Sequence, residues 1–445
     1  MMKRKRILFI TLLLLISLVT TQNTAFAKAV KADKRPHIIA TTDGEIDDRC
    51  SMVRFLLYAN EWDIEGIIIS SSKFHWDGHK WAGIKWIDGQ IDQYAKVYET
   101  LKQHATGFPS PKELKSKVWV GNISNVGAMD KDTPGSDRIV EVLLDNKPEP
   151  VYLQAWGGTN TIARALWKIQ HKHPDQMKKV SNKAVIFIIL DQDTTFRKYI
   201  EPNWPDLQVL GSFSQFGCIA YRWNQRIPSP QKSFFEKPWM EANILKGHGP
   251  LCSLYEAKNG AFRSEGDSPA FMHQIRVGLR SMEEPGYGGW GGRFVREKPN
   301  SNTWRGANDD GDINKAIWRW AEAFQNDWAA RADWCVKSYK EANHPPVVKL
   351  SSKLDLRAKP GQTVKLNAKG TKDPDGDKLT YKWWQYKEPG SYKGTVNIKN
   401  ASKQQASFVV PGNAKKGQTV HIICEVTDTG SPPLTRYQRV IVNIE

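Results

Sequence analysis

The stretch Thr41–Asp48, TTDGEIDD, follows the short apolar run Ile38–Ala40 and decides how most of the chain is interpreted. It places four carboxylates within six residues: Asp43, Glu45, Asp47 and Asp48. Crowded like charges are unfavourable unless a cation or strong hydrogen-bond donors neutralise them, and calcium prefers ligands that are all oxygen. The spacing therefore predicts a metal site at the end of a buried strand.

A tight turn and a helix are expected directly after this strand. Gly44 allows the backbone to bend, and the apolar face of the residues that follow predicts a helix over Asp47–Asn60. A single acid at a helix start is commonly an N-cap and suits the helix dipole. Four acids exceed what a cap requires, and open α/β sheets bind ligands at the carboxyl ends of strands, so we favour a binding site.

The amino terminus has the three parts of a secretory signal peptide. Basic residues Lys3–Arg6 precede the apolar run Ile7–Val19, and the small residues of Ala25–Ala27 are typical of a cleavage site. The apolar run is short for a membrane span. We therefore expect a signal peptide at 1–27 and a secreted or periplasmic protein that does not insert in the membrane once the signal is removed.

Charge and cysteine content limit the other classes of function. The net charge of +17 comes from scattered Lys and Arg, without a dense basic helix or arm, so no nucleic-acid partner is expected. The five cysteines show no CxxC spacing, and Cys50 and Cys424 lie on apolar patterns that predict core thiols.

Strand and helix patterns alternate over 34–340 and predict an α/β domain with a mostly parallel, Rossmann-like sheet. The expected strands after the first are Ile64–Ser70, Val118–Val120, Val151–Leu153, Val185–Leu190 and Val209–Leu210. The expected helices include Trp81–His104, Asn160–His171 and a final helix at Ile313–Ser338. Functional side chains should then lie at the carboxyl ends of the strands.

A second domain is expected after a short linker. His344-Pro345-Pro346 breaks the chain within the linker 341–346, and short alternating runs over 347–445 predict an all-β, Ig-like sandwich. Its segment Asp373–Asp377, DPDGD, is typical both of a β-turn and of a calcium loop. We expect the sandwich to be a spacer or attachment module, whose deletion leaves catalysis largely intact.

Two motifs resemble those of the calcium-dependent nucleoside hydrolases. The stretch DGEIDD at 43–48 resembles their amino-terminal signature, and GGTNTIA at 157–163 resembles their second loop-to-helix motif. The whole layout is similar to a secreted bacterial family that joins a nucleoside-hydrolase-like domain to an Ig-like domain and is in part cellulose-binding. That resemblance also rests on GGWGGR at 288–293, on EGD at 265–267 and on QND at 325–327.

The resemblance implies roles for individual residues and Ca²⁺ as the cofactor. Asp43 would be a metal ligand and the base that activates water, Asp48 a second ligand, and Asp47 an acceptor for a sugar hydroxyl. Asn160 would supply a main-chain carbonyl to the metal. Asp309, in the segment Asn308-Asp309-Asp310, is the best match to the last metal ligand, although the family's preceding His is missing.

The leaving-group side departs further from the family. Ser70-Ser71-Ser72 stands where Gly-Asn is usual, and Ser71 is expected to contact substrate. Loop residues are the candidates for a proton donor: His75, His79, His248, Glu265 and Asp267. Of these we expect His248 and Glu265 to be catalytic, and His75 and Asp267 to bind substrate, although loop histidines commonly have structural roles. Trp76 and Trp290 are expected to stack on sugar, with plain packing as the alternative.

These expectations combine into one main function and one alternative. The main interpretation is a secreted calcium-dependent hydrolase of an N- or O-glycosidic bond in a glycan or nucleoside-like substrate, a glycosidase-type enzyme. The alternative is a noncatalytic protein that binds a cellulose-like polysaccharide and keeps the metal site. A nucleotide cofactor is disfavoured because the first turn lacks GxGxxG and its acids would repel a pyrophosphate.

Overall fold

The computed structural model describes residues 35–445, so the expected signal peptide at 1–27 lies outside the described residues. The strands of the first domain are β1 (His37–Thr42), β2 (Asp63–Ile69), β3 (Val118–Val120), β4 (Val151–Ala155), β5 (Ala184–Ile189), β6 (Gln208–Ser212), β7 (Phe294–Arg296) and β8 (Thr303–Gly306). They form one sheet in the order β3-β2-β1-β4-β5-β6-β8-β7, parallel throughout except for the β7–β8 pair. The predicted α/β class is confirmed.

Helices cover both faces of this sheet. They are α1 (Ile46–Leu57), α2 (Trp86–His104), α3 (Pro111–Ser116), α4 (Pro134–Leu144), α5 (Asn160–Lys172), α6 (Met177–Lys183), α7 (Glu201–Asn203), α8 (Trp223–Arg226), α9 (Lys237–Met240), α10 (Gly249–Cys252), α11 (Ser268–Met272), α12 (Lys315–Trp318) and α13 (Ala321–Asp333). Strand geometry divides them between two cores, because successive side chains of β1 point to opposite faces. Ile38 packs in the core that contains α1, α2 and α13, and Ile39 in the core that contains α4 and α5.

Two predicted helices are shorter in the structure than in the sequence pattern. The helix expected from Trp81 begins at Trp86, after Gly83, which has a φ of +81° that does not continue a right-handed helix. The helix expected over Ile313–Ser338 is divided into α12 and α13. The division falls at Arg319 and Trp320, whose side chains contact the second domain instead of continuing the helical pattern.

The second domain is the all-β sandwich that the sequence predicts. Its strands are β9 (Asp355–Ala358), β10 (Thr363–Asn367), β11 (Thr380–Gln385), β12 (Ile398–Lys399), β13 (Gln405–Val409), β14 (Thr419–Thr427) and β15 (Thr435–Ile444). A three-stranded sheet, β10-β13-β12, faces a four-stranded sheet, β11-β14-β15-β9, across an apolar core. Cys424 lies in that core and Cys50 in a core of the first domain, both as free thiols, as expected.

The sandwich is not loosely attached to the first domain. Tyr386 and Tyr437 of the sandwich belong to the same hydrophobic core as Trp320 of the first domain, and both rings pack edge-on against Trp320. Arg439 is fully buried, and its guanidinium donates to the carbonyls of Leu279, Tyr287 and Gly288 at 2.7, 2.7 and 3.2 Å. A shared core of this kind differs from the spacer that the sequence suggests.

Over 35–445, none of the helices has the length and apolar character that crossing a bilayer requires.

Replacing Arg439 with Ala tests how much this interface contributes to stability. We expect Arg439→Ala to lower the free energy of unfolding by about 3 kcal/mol, because three carbonyls, two of them buried, lose a charged donor. Arg357→Ala is the matched control: Arg357 is 81% exposed and pairs with Glu445 at 3.5 Å, so its loss should cost less than about 1 kcal/mol. Urea unfolding followed by tryptophan fluorescence measures both; equal costs would contradict this account of the interface.

Candidate metal centre and active site

The acidic stretch lies at the carboxyl end of β1, in the middle of the parallel sheet. Asp43 directly follows β1, and Gly44 turns the chain toward α1 with a φ of +77°. A Cβ at Gly44 would lie 2.8 Å from the Cβ of Ala82 and 3.0 Å from the indole nitrogen of Trp86. The position therefore requires glycine for both its backbone angle and its lack of space, and the turn is held between β1 and the loop before α2.

The fold gathers six side chains with metal-ligating atoms into two neighbouring groups. One group contains Asp43, Glu45 and His75, the other Asp47, Asp48 and Asp267, and within each group the ligand atoms lie within 4.8 Å of one another. Asp43, Asp47, Asp48 and Asp267 are all buried, with at most 9% of each residue exposed. We call these four residues the acidic cluster.

Hydrogen bonds satisfy only part of the acidic cluster. Asp48 accepts from the Thr42 hydroxyl and from the main-chain N–H of Asp43, the latter at 3.2 Å. The N–H of Glu45 donates to Oδ1 of Asp43 at 3.2 Å. Among the described residues, Oδ2 of Asp43 and Oδ2 of Asp267 are buried without a hydrogen-bond partner. Unpaired buried carboxylate oxygens are costly, so the cluster is set up to take a cation.

The pKa values of three members of the acidic cluster also indicate an excess of negative charge there. Burial raises the pKa of Asp47 to about 8, with further increases from the charges of Glu45 and Asp43. Burial, followed by neighbouring carboxylates, also holds the pKa values of Asp48 and Asp267 well above their usual range. Protons or a cation must therefore neutralise the cluster in the folded protein.

Two glycines leave the room that such a cation needs. A Cβ at Gly157 would lie 2.9 Å from the Cβ of Asp43 and 3.2 Å from its Oδ2. A Cβ at Gly266 would lie 2.7 Å from Oδ2 of Asp47. With four all-oxygen side chains and two unpaired oxygens, the acidic cluster fits a hard divalent cation such as Ca²⁺.

Tyr221 and His75 complete the surroundings of the acidic cluster. The Tyr221 hydroxyl donates to Glu45 at 2.7 Å and to Asp47 at 3.2 Å, while its residue is 46% exposed. Nδ1 of His75 lies 3.6 Å from the Glu45 carboxylate and 3.9 Å from that of Asp43, and substrate binding by His75 stays a prediction. Sequence reasoning missed Tyr221, because it lies 174 residues from Asp47 in a segment without a recognisable pattern.

Asn160 holds together the loops beside the acidic cluster. Its side chain accepts from Ser70 at 2.9 Å and donates to Ser71 Oγ at 3.0 Å and to the carbonyls of Asn122 and Ala128 at 2.8 and 3.0 Å. Ser71 is fully buried, and its hydroxyl donates to the carbonyl of Asn125 at 2.8 Å. These contacts show an anchoring role for both side chains; metal binding by the carbonyl of Asn160 and substrate contact by Ser71 stay predictions.

Asp309, expected as the last metal ligand, does not join the acidic cluster. Its Oδ1 accepts from Arg293 at 2.6 Å, and its Oδ2 accepts from Arg319 at 2.6 Å and from the hydroxyl of Tyr386 at 2.6 Å. Two arginines already neutralise this fully buried carboxylate. Asp267 instead occupies the position beside Asp47 and Asp48 that a further ligand would take.

The two expected proton donors do not belong to the acidic cluster and have other partners. Glu265 is fully buried in a two-pronged ion pair with Arg54, at 2.5 and 3.1 Å, and also accepts from Ser268 at 2.7 Å. Nδ1 of His248 lies 3.2 Å from the carboxylate of Asp333 at the end of α13, and its Nε2 lies 3.0 Å from the carbonyl of Ala242. Both side chains have structural partners in place of a substrate.

The two tryptophans expected to stack on sugar differ in exposure. Trp290 is 1% exposed and packs edge-on against Phe324. These contacts agree with the alternative given for it, packing in place of stacking on sugar. Trp76 is half-buried and lies face to face with His79, with ring centroids 4.1 Å apart, in the loop that also carries His75. Only Trp76 remains available for stacking on a ligand.

A parallel sheet in this strand order, with acids at the carboxyl edge of β1, is a nucleoside-hydrolase-like fold. The chain belongs to the family described as cellulose-binding Sde182, nucleoside hydrolase-like domain, whose model matches residues 37–294. The model described as cellulose-binding protein Sde0182, C-terminal domain, matches residues 363–444. The family resemblance seen in the sequence is thus confirmed.

One solved structure is similar over nearly the whole chain. It is a nucleoside hydrolase-related hypothetical protein from Saccharophagus degradans that is associated with carbohydrate metabolism. It is 33% identical, with a TM-score of 0.79, over 92% of this chain and 100% of that chain. A plant nucleoside hydrolase is 9% identical over 62% of this chain and 88% of that chain, with a TM-score of 0.30. A search of the curated proteins found no match.

The raised pKa of Asp47 predicts how the metal-free protein responds to pH. The folded protein holds this proton up to about pH 8, whereas the unfolded chain releases it near the ordinary pKa of about 4. The folded state therefore binds more protons between these values, and its free energy of unfolding should fall as pH rises through this window, by up to about 1.4 kcal/mol per pH unit per proton.

Urea unfolding in a chelator between pH 5 and pH 8 measures this effect. Asp47→Asn should reduce the pH dependence, because it removes one of the three acids whose pKa values burial raises, whereas Asp206→Asn, at an exposed ion pair with Lys178, should not change it. A steeper loss of stability toward low pH in the metal-free protein would contradict the prediction.

Proposed function

We propose that the protein is a secreted, calcium-dependent hydrolase that cleaves an N- or O-glycosidic bond in a glycan or nucleoside-like substrate. The single observation that carries this proposal is the acidic cluster, in which Asp43 and Asp267 each keep an unpaired buried oxygen. Membership of a family whose domains are described as nucleoside hydrolase-like and cellulose-binding supports the choice of a sugar substrate.

Asp43, Asp47, Asp48 and Asp267 are the residues that would hold Ca²⁺. When bound, the ion would supply an electrophile that orients sugar hydroxyls and lowers the pKa of a water molecule. The unpaired Oδ2 of Asp43 is suited to accept the proton of the attacking water. Asp47, whose Oδ1 already accepts from Tyr221 at 3.2 Å, is suited to accept from a sugar hydroxyl.

The carboxylates of the acidic cluster also match the charge of the reaction. Cleavage at C1 of a sugar builds positive charge on the ring, which nearby carboxylates stabilise. A preorganised buried cluster does this without further reorganisation, since its side chains are held by β1, α1 and the loop before α11. Tyr221 would position the sugar from the exposed side.

His75 is the proton donor that we propose for the leaving group. It is the histidine among the sequence candidates that lies beside the acidic cluster, 3.6 Å from Glu45. A histidine side chain at this position can donate a proton to the departing atom of the substrate. Nδ1 of His75 is buried and has no hydrogen-bond partner among the described residues, so it is available to a substrate atom.

A screen of the mature protein with Ca²⁺ and with a chelator tests the hydrolase directly. Nucleosides, aryl glycosides and plant or bacterial polysaccharides are incubated, and released sugar is measured by chromatography. We expect calcium-dependent release that Asp43→Ala lowers by at least about 10²-fold. Product formation that is unaffected by the chelator and by Asp43→Ala would reject this mechanism.

The role of His75 is tested by His75→Ala in the same assay. We expect kcat to fall by about 10²- to 10⁴-fold, with a smaller loss for substrates whose leaving group needs no proton. His171→Ala is the control, because this exposed residue on α5 bonds only locally, to the carbonyl of Trp167 at 2.8 Å. Equal kcat values for the two variants would remove His75 from the mechanism.

The alternative is a noncatalytic carbohydrate-binding protein, and the exposed apolar side chains near the site favour it. Phe74, Ile84, Val126 and Tyr221 are 40 to 46% exposed and belong to loops that follow strands of the parallel sheet or precede α2. Exposed apolar side chains on loops at this edge of the sheet are typical of a binding surface. The absence of Glu265 and His248 from the acidic cluster points the same way.

Pull-down on insoluble cellulose separates the two functions. Retention that falls at least about tenfold in Phe74→Ala/Tyr221→Ala, with no sugar released over long incubation, would identify a binding protein. Val409→Ala, at an exposed apolar residue of the sandwich, is the control. Released product would support the hydrolase instead.

Gly157→Ala tests whether the space beside Asp43 serves metal binding. The new Cβ would press on the Asp43 carboxylate, so we expect calcium affinity to fall by at least about tenfold in isothermal titration. Gly89→Ala is the matched control, because no heavy atom lies within 4 Å of the Cβ it would add, and the change should stabilise α2 by about 1 kcal/mol. An unchanged affinity in Gly157→Ala would place the ion elsewhere.

A further inference from the structure

A third group of carboxylates lies in the sandwich, where it meets the linker. Asp373, Asp375 and Asp377 have carboxylate oxygens within 4.8 Å of one another. The main-chain N–H groups of Asp375 and Asp377 both donate to Oδ1 of Asp373, at 2.9 and 3.1 Å, so the turn is preformed. The other oxygen, Oδ2 of Asp373, is buried and has no hydrogen-bond partner among the described residues.

A fourth carboxylate, Asp428, is buried in the loop between β14 and β15. It is 3% exposed, and its Oδ1 accepts from Asn343 Nδ2 at 3.1 Å and from the N–H groups of Gly430 and Leu434 at 3.0 and 2.9 Å. Its Oδ2 has no partner among the described residues. A buried carboxylate oxygen without a donor raises the free energy of the folded protein, so a ligand of opposite charge at this atom would be stabilising.

Two consecutive linker residues bring Asp428 and the DPDGD turn together. Asn343 donates to Asp428, while the main-chain N–H of His344 donates to Oδ2 of Asp375 at 2.7 Å. Because neighbouring Cα atoms are only about 3.8 Å apart, these two bonds direct both carboxylates to the same short segment of linker. Oδ1 of Asn343 also accepts from the N–H of His344 at 3.0 Å, which fixes that segment.

We propose that Asp373, Asp375, Asp377 and Asp428 form a second divalent-cation site, selective for Ca²⁺, at the junction of the two domains. Carboxylate oxygens are the ligands of calcium, and soft or imidazole-preferring metals would require Cys or His in the set. Gly376, with a φ of +83°, allows the sharp turn that brings three acids around one point. Binding on the order of 10⁻⁴ to 10⁻³ M is the range of calcium sites in extracellular modules.

This junction site would tie the sandwich to the first domain. The His344 ring lies 3.0 Å from Asp375 Oδ1 through Nδ1 and 3.0 Å from Nδ1 of His104, on α2, through Nε2. The same ring lies face to face with Tyr339, with centroids 3.9 Å apart. An ion that holds Asp375 therefore acts on a chain of contacts that reaches the first domain, and it stabilises the position of the linker.

Calcium titration of the full mature chain tests the proposal independently of the acidic cluster. We expect the wild type to bind one ion more than Asp373→Asn/Asp375→Asn in isothermal titration and in equilibrium dialysis. Asp43→Asn/Asp48→Asn should keep the junction ion, and Glu445→Gln, an exposed acid of the same domain, should bind as the wild type does. Asparagine at 373 keeps the oxygen that accepts from the N–H groups of Asp375 and Asp377, and asparagine at 375 keeps one oxygen for the N–H of His344.

Each outcome separates the two sites. Loss of one ion in Asp373→Asn/Asp375→Asn supports the proposal. If Asp43→Asn/Asp48→Asn binds as many ions as the wild type, that result counts against calcium in the acidic cluster and leaves the junction site unaffected. An unchanged number of bound ions in Asp373→Asn/Asp375→Asn overturns the proposal. If that variant does not fold by circular dichroism, Asp377→Asn replaces it, because this change leaves both bonds to Asp373 intact, and retained binding there overturns the proposal equally.

Proteolysis gives a second readout that a merely structural turn would not produce. Ca²⁺ at millimolar concentration should slow cleavage of the linker by at least about threefold in the wild type and in Asp43→Asn/Asp48→Asn. The same addition should have no effect on Asp377→Asn. Equal protection of Asp377→Asn and the wild type would reject a junction ion.

Discussion

The free energy required to bury the acidic cluster constrains the rest of the first domain. Asp43, Asp47, Asp48 and Asp267 are brought together from β1, α1 and the start of α11, and burial raises the pKa values of the last three. A folded protein tolerates such a group when other contacts compensate for it. Here the compensation comes from two large cores on either side of the sheet, which fix the turn after β1.

Buried acids elsewhere in the domain show why the acidic cluster is different. Glu265 is neutralised by Arg54, whose guanidinium also lies 3.9 Å from the ring centroid of Trp328, and Asp309 is neutralised by Arg293 and Arg319. These pairs satisfy the carboxylates and connect distant parts of the chain. Asp267 is only two residues from Glu265 but has no arginine partner among the described residues. Buried acids with a cationic partner hold the loops in place, whereas no lysine or arginine among the described residues forms an ion pair with the acidic cluster.

The sandwich completes this arrangement instead of extending from it. Its Tyr386 donates to Asp309, the same carboxylate that receives Arg293 and Arg319, so one buried network joins both domains. Arg439 enters the first domain so completely that burial lowers its pKa to about 10. Because the interface is built from buried polar groups and a shared core, the domains are expected to unfold together, and a junction ion would act on the whole molecule.

The sequence by itself determined the local features of this protein. The pattern of β1, the turn at Gly44, the first acids of α1, the alternation of strands with helices and the sandwich after the linker are all readable from short segments, because each depends on near neighbours. The family resemblance added the expectation of a metal at Asp43 and Asp48. His75 can also be selected as a candidate from a short segment, because it lies in the loop directly after β2.

Only the tertiary structure decided which of the later acids reach the site. Sequence reasoning chose Asp309 as a ligand and Glu265 as a proton donor, whereas the fold pairs both with arginines and places Asp267 in the acidic cluster. The partner of Glu265 lies 211 residues away in the chain, and Tyr221 reaches Asp47 across 174 residues. Long irregular segments carry no periodic signal for such contacts, so packing alone determines whether a buried carboxylate meets an arginine or other carboxylates.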